Sequence, residues 1–370
     1  MSRSFLSKYG VKIAISTVLT VFIIGVLKRQ GMAFVPPREA IMGVPHLWVY
    51  PAYVLLYALT TYVRAARWRL QLRAWADVSF RRIIMVSWVS FAAIVFLPMR
   101  MGEVVRPMMI RDRGRVSATA AAGTVVAERV IDGLFLSIVL AIALIVAPGV
   151  PNPPEYVVGL SGFPTARVRE FGSTMLAIFV IAFAVIGAYY KFRKLARELT
   201  LRVFGIVSMK LAEKLAGIAE KLADGIRFLA TPKDAVPYLI ETASYWALNA
   251  LGMWFLAWGC GLTHPDGSMV TYMDALALMG MLGAAMLIPA PPGMLGVFQA
   301  GLYCAMTLYF SPEVILGPGA VYVFMLYVLQ VGWTAVAALL GLLDPGTRRA
   351  LLSADTTDMG LSISPPAEVR

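Results

Sequence analysis

Six charged residues sit in stretches that are otherwise built from apolar side chains. Arg100, Glu103 and Arg106 lie in Pro98-Met-Arg-Met-Gly-Glu-Val-Val-Arg-Pro107, and Glu128, Arg129 and Asp132 lie in the next apolar run. If the chain is helical from Gly102 onward, Glu103 and Arg106 share a face, and Glu128, Arg129 and Asp132 stand at i, i+1 and i+4 on the following helix. Three positive and three negative groups make a balanced set, which burial demands because an unpaired buried charge costs several kcal/mol. Two chemistries suit this pattern. One is a salt-bridge lock that staples one element to the next. The other is an anion site, because planar guanidinium forks take phosphate oxygens in pairs. In that case the carboxylates hold the arginines when the site is empty, or titrate in a proton-coupled cycle. A lock that opens for a substrate is a gate, so the two readings are compatible.

A second broken segment, Pro289-Ala-Pro-Pro-Gly-Met-Leu-Gly-Val-Phe-Gln299, brings exposed backbone. A helix beginning near Met294 would present its N-terminal amides to an anion, with Pro292, Gly293, Gly296 and Gln299 as the candidate contacts. A tightly packed turn would use the same residues. Asp274 and Glu241 are expected near the ends of their segments, at the interface.

The elements that must carry these groups are apolar. The chain has 370 residues, 59% of them hydrophobic, with mean hydropathy +0.74 and only 15% charged, against roughly 25% charged in soluble proteins. An all-α polytopic membrane protein follows. The net charge of +12 is explained by loops facing the cytoplasm rather than by nucleic acid. Cys260 and Cys304 lie in apolar segments, and His46 and His264 look like isolated loop residues, so no metal or other cofactor is expected. Arg3, Lys8 and Lys12 precede an apolar stretch without a small-residue cleavage pattern, which reads as a retained first helix.

Apolar segments fall at 11–27, 47–63, 83–97, 118–147, 171–190, 236–261, 270–288, 294–310 and 318–343. The stretch 83–97 is short for a ~30 Å hydrocarbon core, and 102–110 is shorter still. Treating 83–110 as a hairpin that leaves on its side of entry puts 25 of the 33 Lys and Arg on one face. The positive-inside rule makes that face cytoplasmic, with both termini there and the plasma (inner) membrane as the location. By the same parity 270–310 is a hairpin entering from outside. The expected architecture is therefore about six full spans plus two re-entrant hairpins. Residues 1–147 and 171–343 each read span, span, hairpin, span in opposite orientation, an inverted-topology repeat of the kind that places a transporter site near the midplane. The whole of 1–343 is one transmembrane unit. Residues 148–170 should form an outer loop. Residues 198–229 read as a cytoplasmic amphipathic helix at the interface, and 344–370 as a disordered cytoplasmic tail.

Pro98-x-Arg100-x-Gly102-Glu103-x-x-Arg106-Pro107 followed by Glu128-Arg129-x-x-Asp132 resembles the transmembrane region of bacterial lysylphosphatidylglycerol synthase/flippases and related stand-alone flippase-like proteins. Arg67-Trp68-Arg69 and Pro291-Pro-Gly293-x-x-Gly296-Val-Phe-Gln299 match further signatures of that family. Gln299 stands where the family commonly has Glu, so a role needing negative charge is not carried over. Bifunctional relatives add a soluble aminoacyl-tRNA-dependent transferase domain, and nothing after residue 343 is expected to fold into one. The resemblance implies a non-enzymatic flippase that moves an amphipathic lipid, a phospholipid or lipid-linked molecule, between leaflets. Arg100, Arg106 and Arg129 would take an anionic headgroup. The oligomeric state is left open. A membrane-embedded lipid-modifying transferase, using Glu103, Glu128 or Asp132 as acid or base, and a non-transporting scaffold of a lipid or glycan synthesis complex are the alternatives.

Overall fold

Helix ends in this chain follow local sterics. Leu97 is extended (φ −89°, ψ 144°) where it precedes Pro98, and the helix before it stops there, because a proline ring clashes with a preceding α-helical residue. Thr271 and Asp274 form a reciprocal capping box at the start of another helix, satisfying amides that a helix start leaves unpaired. The computed structural model describes residues 35–73, 76–97, 102–111, 118–147, 149–160, 162–287 and 292–353, with single positions 18, 21, 25 and 29 ahead of them. Most of the expected first span, Arg100 and residues 354–370 lie outside the described set.

The longer helices are α1 (Val49–Ala66), α2 (Phe80–Phe96), α3 (Gly102–Ile110), α4 (Ala118–Val146), α5 (Ala166–Lys191), α6 (Arg193–Gly205) and α7 (Met209–Gly225). They continue with α8 (Pro232–Gly259), α9 (Tyr272–Ala285), α10 (Val297–Met306), α11 (Pro318–Leu343) and α12 (Pro345–Ser353). Ala121–Val146, Ala166–Lys191 and Pro318–Leu343 are long and apolar enough to cross a membrane. The main core gathers side chains of α1, α4, α8, α9, α10 and α11, among them Tyr53, Leu140, Met253, Leu278, Leu302 and Tyr322.

Both broken segments fold back on themselves. Gly102, at the start of α3, lies against Ile94 of α2, and at the far end Arg82 donates to the carbonyl of Arg111. Gly301 of α10 packs on Ala285 at the end of α9, and Tyr309 and Phe310 return to His264, ahead of α9. The loop 149–165 is tied to this second hairpin, with Val150 N donating to Leu308 O and Val158 N to Thr307 Oγ1. α2 packs along α11, and α9 packs along α4. α1 lies against α8.

Two expected boundaries change. The single amphipathic helix expected over 198–229 is two helices, α6 and α7, followed by a short 3-10 turn at Arg227–Ala230. Ser208, extended, accepts from Leu211 N and starts α7 afresh. α7 buries Ala212, Ala216 and Ala223 and packs on α4. The tail expected to be disordered from 344 begins with α12. Asp344 caps it, accepting from Thr347 N and Oγ1. Those hydrogen bonds, with Arg81 beside them, hold the Asp344 carboxyl below the usual carboxylate range.

A Cβ at Gly102 would stand 2.1 Å from Ile94 N, with no flexible side chain to yield. We predict that Gly102→Ala lowers the stability of the purified protein by about 1–3 kcal/mol, the cost of overpacking, read as a fall in thermal midpoint. Gly187→Ala, where nothing lies within 4 Å, does not lower it.

Candidate functional site

Arg67 follows the last residue of α1, and its backbone carries the helix on into the short segment Trp68–Leu72. Its side chain turns inward and is fully buried. The guanidinium grips Asp132 of α4 with both terminal nitrogens, at 2.7 and 2.5 Å. It also donates to Thr242 Oγ1 of α8 at 3.1 Å and stands 3.2 Å from Glu128 Oε1. Glu128, also fully buried, is the hub. Arg106 of α3 donates to its Oε2 at 2.8 Å, and Arg129 to its Oε1 at 2.6 Å. Arg106 reaches Ser87 of α2 as well, at 3.3 Å, and lies 3.9 Å over the Trp68 ring. Trp68 Nε1 in turn donates to Thr124 of α4. One carboxylate thus holds three arginines, and the cluster ties α1, α2, α3, α4 and α8 together. Two-pronged, charge-assisted hydrogen bonds fix direction as well as distance, and in a low-dielectric interior each is costly to leave unmade.

Beside this cluster is a cavity of about 230 Å³. That is smaller than the ~300–1,000 Å³ typical of pockets that enclose a drug-sized ligand, so it suits a headgroup but not a whole diacyl lipid. Arg129 and Asp132 reach its wall from the cluster, and Arg64 of α1 joins them. Trp88, Phe91, Tyr245, Trp246 and Trp333 supply an aromatic lining, and Asn249, Gln330 and Thr334 supply polar groups. Arg64 lies 4.5 Å over the Phe91 ring and 5.6 Å from that of Tyr245, a cation–π setting.

The second hairpin reaches the same cavity. Gly293 and Met294 are on its wall. Gly293 (φ 78°), Met294 (φ 54°) and Gly296 (φ 88°) are left-handed. Glycine takes that conformation freely, whereas it costs Met294 roughly 1–2 kcal/mol. Tyr327 of α11 donates to Gly293 O at 2.8 Å, and Met294 packs against an apolar cluster that includes Phe91 and Ile94 of α2. The break of the second hairpin therefore touches the first arm of the other.

The expected residues are distributed as follows. Arg106, Glu128, Arg129 and Asp132 come together, and Glu103, on the first turn of α3, adds its negative field at Arg129. Arg100 lies outside the described residues. Gly293, Arg129 and Asp132 line the cavity, while Arg106 and Glu128 stand behind it, buried and bonded. Gln299 is buried, and its Oε1 accepts from Gly296 N at 2.7 Å. A neutral amide caps α10 as well as a carboxylate would, which accounts for Gln at this position. Pro292 opens the short 3-10 turn at the break. In the sequence Arg64 and Arg67 end an apolar run and read as loop charges; the Arg67-Trp68-Arg69 signature is the signal that Arg67 belongs to the site, and Arg64 carries none. Glu241 pairs with Arg69 across α8. Asp274 and His264 are buried rather than interfacial or isolated. His264 Nε2 faces Asp274 at 2.9 Å, and its Nδ1 faces Tyr309 O at 3.1 Å.

An all-helical frame with apolar membrane-length helices and an amphipathic cavity beside a buried ion cluster defines a helical membrane protein with an internal polar site. The chain belongs to the family of the lysylphosphatidylglycerol synthase TM region, whose model matches residues 11–332. Comparison with curated proteins and with solved structures gave no match.

Removing the Glu128 charge leaves the buried Arg106 guanidinium without its carboxylate, and takes an acceptor from Arg129 and a neighbouring negative charge from Arg67. We predict that Glu128→Gln costs about 3–5 kcal/mol, as breaking a buried pair does. The check is the yield and thermal midpoint of the monodisperse protein, with exposed Glu170→Gln showing no comparable loss.

Proposed function

We propose that the protein is a lipid flippase, carrying an amphipathic phospholipid or lipid-linked substrate between leaflets of the plasma membrane, with both termini cytoplasmic. The observation that carries this reading is the cavity, bounded by both broken hairpins and by the charge cluster, too small for acyl chains yet mostly apolar and aromatic on its wall. A headgroup enters it while the chains stay in the bilayer. Membership of a family named for a lipid-synthesis membrane region supports a lipid as the substrate.

In this proposal the two hairpins are re-entrant and the halves are related by inverted topology. Reciprocal packing supports that relation, since the first arm of each hairpin lies along the last helix of the opposite half, α2 on α11 and α9 on α4. The Tyr327–Gly293 hydrogen bond and the strained Met294 mark the break of the second hairpin as the place where access changes, because strain of this kind persists only where the surroundings enforce it. Arg129, Asp132 and Gly293 contact substrate. Arg106, Glu128 and Arg67 form the lock behind them, and Gln299 and Gly296 shape the helix start.

The test is leaflet exchange of fluorescent phospholipids in proteoliposomes. Exchange should exceed that of protein-free vesicles for at least one lipid, and Asn249→Trp, which fills the cavity, should abolish it while the protein stays folded. Exchange no faster than in empty vesicles for every lipid, with a modified lipid product appearing, would instead establish a membrane-embedded transferase.

A further inference from the structure

Several residues of the cavity wall carry N–H groups that have no acceptor. Arg64 makes cation–π contacts but no hydrogen bond or ion pair among the described residues. Its Nε is buried and unpartnered, as are Arg129 Nε, Trp88 Nε1 and Trp246 Nε1. All four residues lie on the wall. The Asn249 carboxamide, also on the wall, has no hydrogen bond among the described residues. The one carboxylate on the wall among the described residues, Asp132, has both oxygens taken by Arg67. The charges point the same way. Arg64, Arg67, Arg106 and Arg129 outnumber Glu103, Glu128 and Asp132 among the described members of the cluster. Arg64 is the cation left over. Buried donors without acceptors are expensive, so the ligand that fits is one that brings acceptors and negative charge.

Resting on the lipid-transport reading, we infer that the cavity selects a lipid bearing an anionic phosphate ester, and that Arg64, with Arg129 beside it, is the residue that binds the phosphate oxygens. The Arg67–Asp132 and Arg106–Glu128 pairs stay closed when it binds. Arg64 supplies the recognition because it alone of the four arginines needs no bond broken first. The mostly apolar wall makes the carrier of the phosphate an amphiphile rather than free phosphate. A cationic headgroup meets an arginine with no carboxylate partner, and is rejected.

Calorimetric titration of the full-length protein in neutral detergent tests this. The probes are short-chain phosphatidylglycerol, a short alkyl maltoside, a short alkyl trimethylammonium and inorganic phosphate. The expected order puts phosphatidylglycerol tightest, inorganic phosphate weaker, and the neutral and cationic amphiphiles weakest. Arg64→Gln should weaken phosphatidylglycerol by about tenfold or more, as loss of a charged hydrogen-bonding partner does. Arg64→Lys should recover part of it, and exposed Arg167→Gln should change nothing. Equal or tighter binding of the neutral or cationic amphiphile overturns the assignment, and so does undiminished phosphatidylglycerol affinity in folded Arg64→Gln. Phosphate binding as tightly as the lipid overturns the lipid as carrier. If Arg64→Gln does not fold, the order of probes on wild type and the response of Arg64→Lys decide alone. Leaflet exchange separates this failure from that of transport: a neutral or cationic lipid exchanged normally by Arg64→Gln sinks the anion assignment and leaves a flippase standing.

Discussion

The fold turns on a single buried carboxylate. Glu128 is fully enclosed and accepts from Arg106 and Arg129, with Arg67 at 3.2 Å. Arg67 in turn clasps Asp132 and reaches Thr242. These contacts bring the end of α1, both arms of the first hairpin, α4 and α8 to one point. Apolar packing among helices in lipid has no hydrophobic drive of its own, and directional charged contacts of this kind set register where packing alone leaves it loose. An ion cluster at such a depth survives only if it is nearly complete. That is why so many elements must converge on it.

The cavity follows from that convergence. The cluster reaches the cavity wall at Arg129 and Asp132, and aromatic rings of α2, α8 and α11 line the same space. What the cluster does not neutralise, the cavity inherits. Arg64 sits on rings rather than on a carboxylate, and several N–H groups on the wall are unpaired. The same surplus that a lock would be expected to eliminate is what an anion site requires, so lock and site are neighbouring parts of one arrangement, divided at Arg129 and Asp132.

Much of this was legible in the sequence, for physical reasons. Proline and glycine fix where helices stop, so the ends of α2 and α9 could be read directly, and the helices that follow begin within a few residues of the apolar runs. The charged spacing of Glu128, Arg129 and Asp132 on one helix and Arg106 on another announced a cluster. Arg64 and Arg67 were obscured because an arginine at the end of an apolar run reads as a loop charge. Only the tertiary packing shows which of them turn inward. His264 and Asp274 were obscured for the same reason, being ten residues apart in sequence and joined across the start of a helix. Gln299 looked like a ligand by its position, but its amide oxygen serves the backbone of its own turn. Local rules placed the elements, while the assignment of each polar group to lock, cap or cavity needed the fold.

The most direct test of the account is a structure determined in nanodiscs containing anionic phospholipid. Phosphate density within hydrogen-bonding distance of the Arg64 guanidinium, with the Arg67–Asp132 and Arg106–Glu128 pairs still closed, is the predicted result. Phosphate bound by Arg106 or Arg67 with those pairs opened, or lipid confined to the outer surface with the cavity holding none, would contradict it.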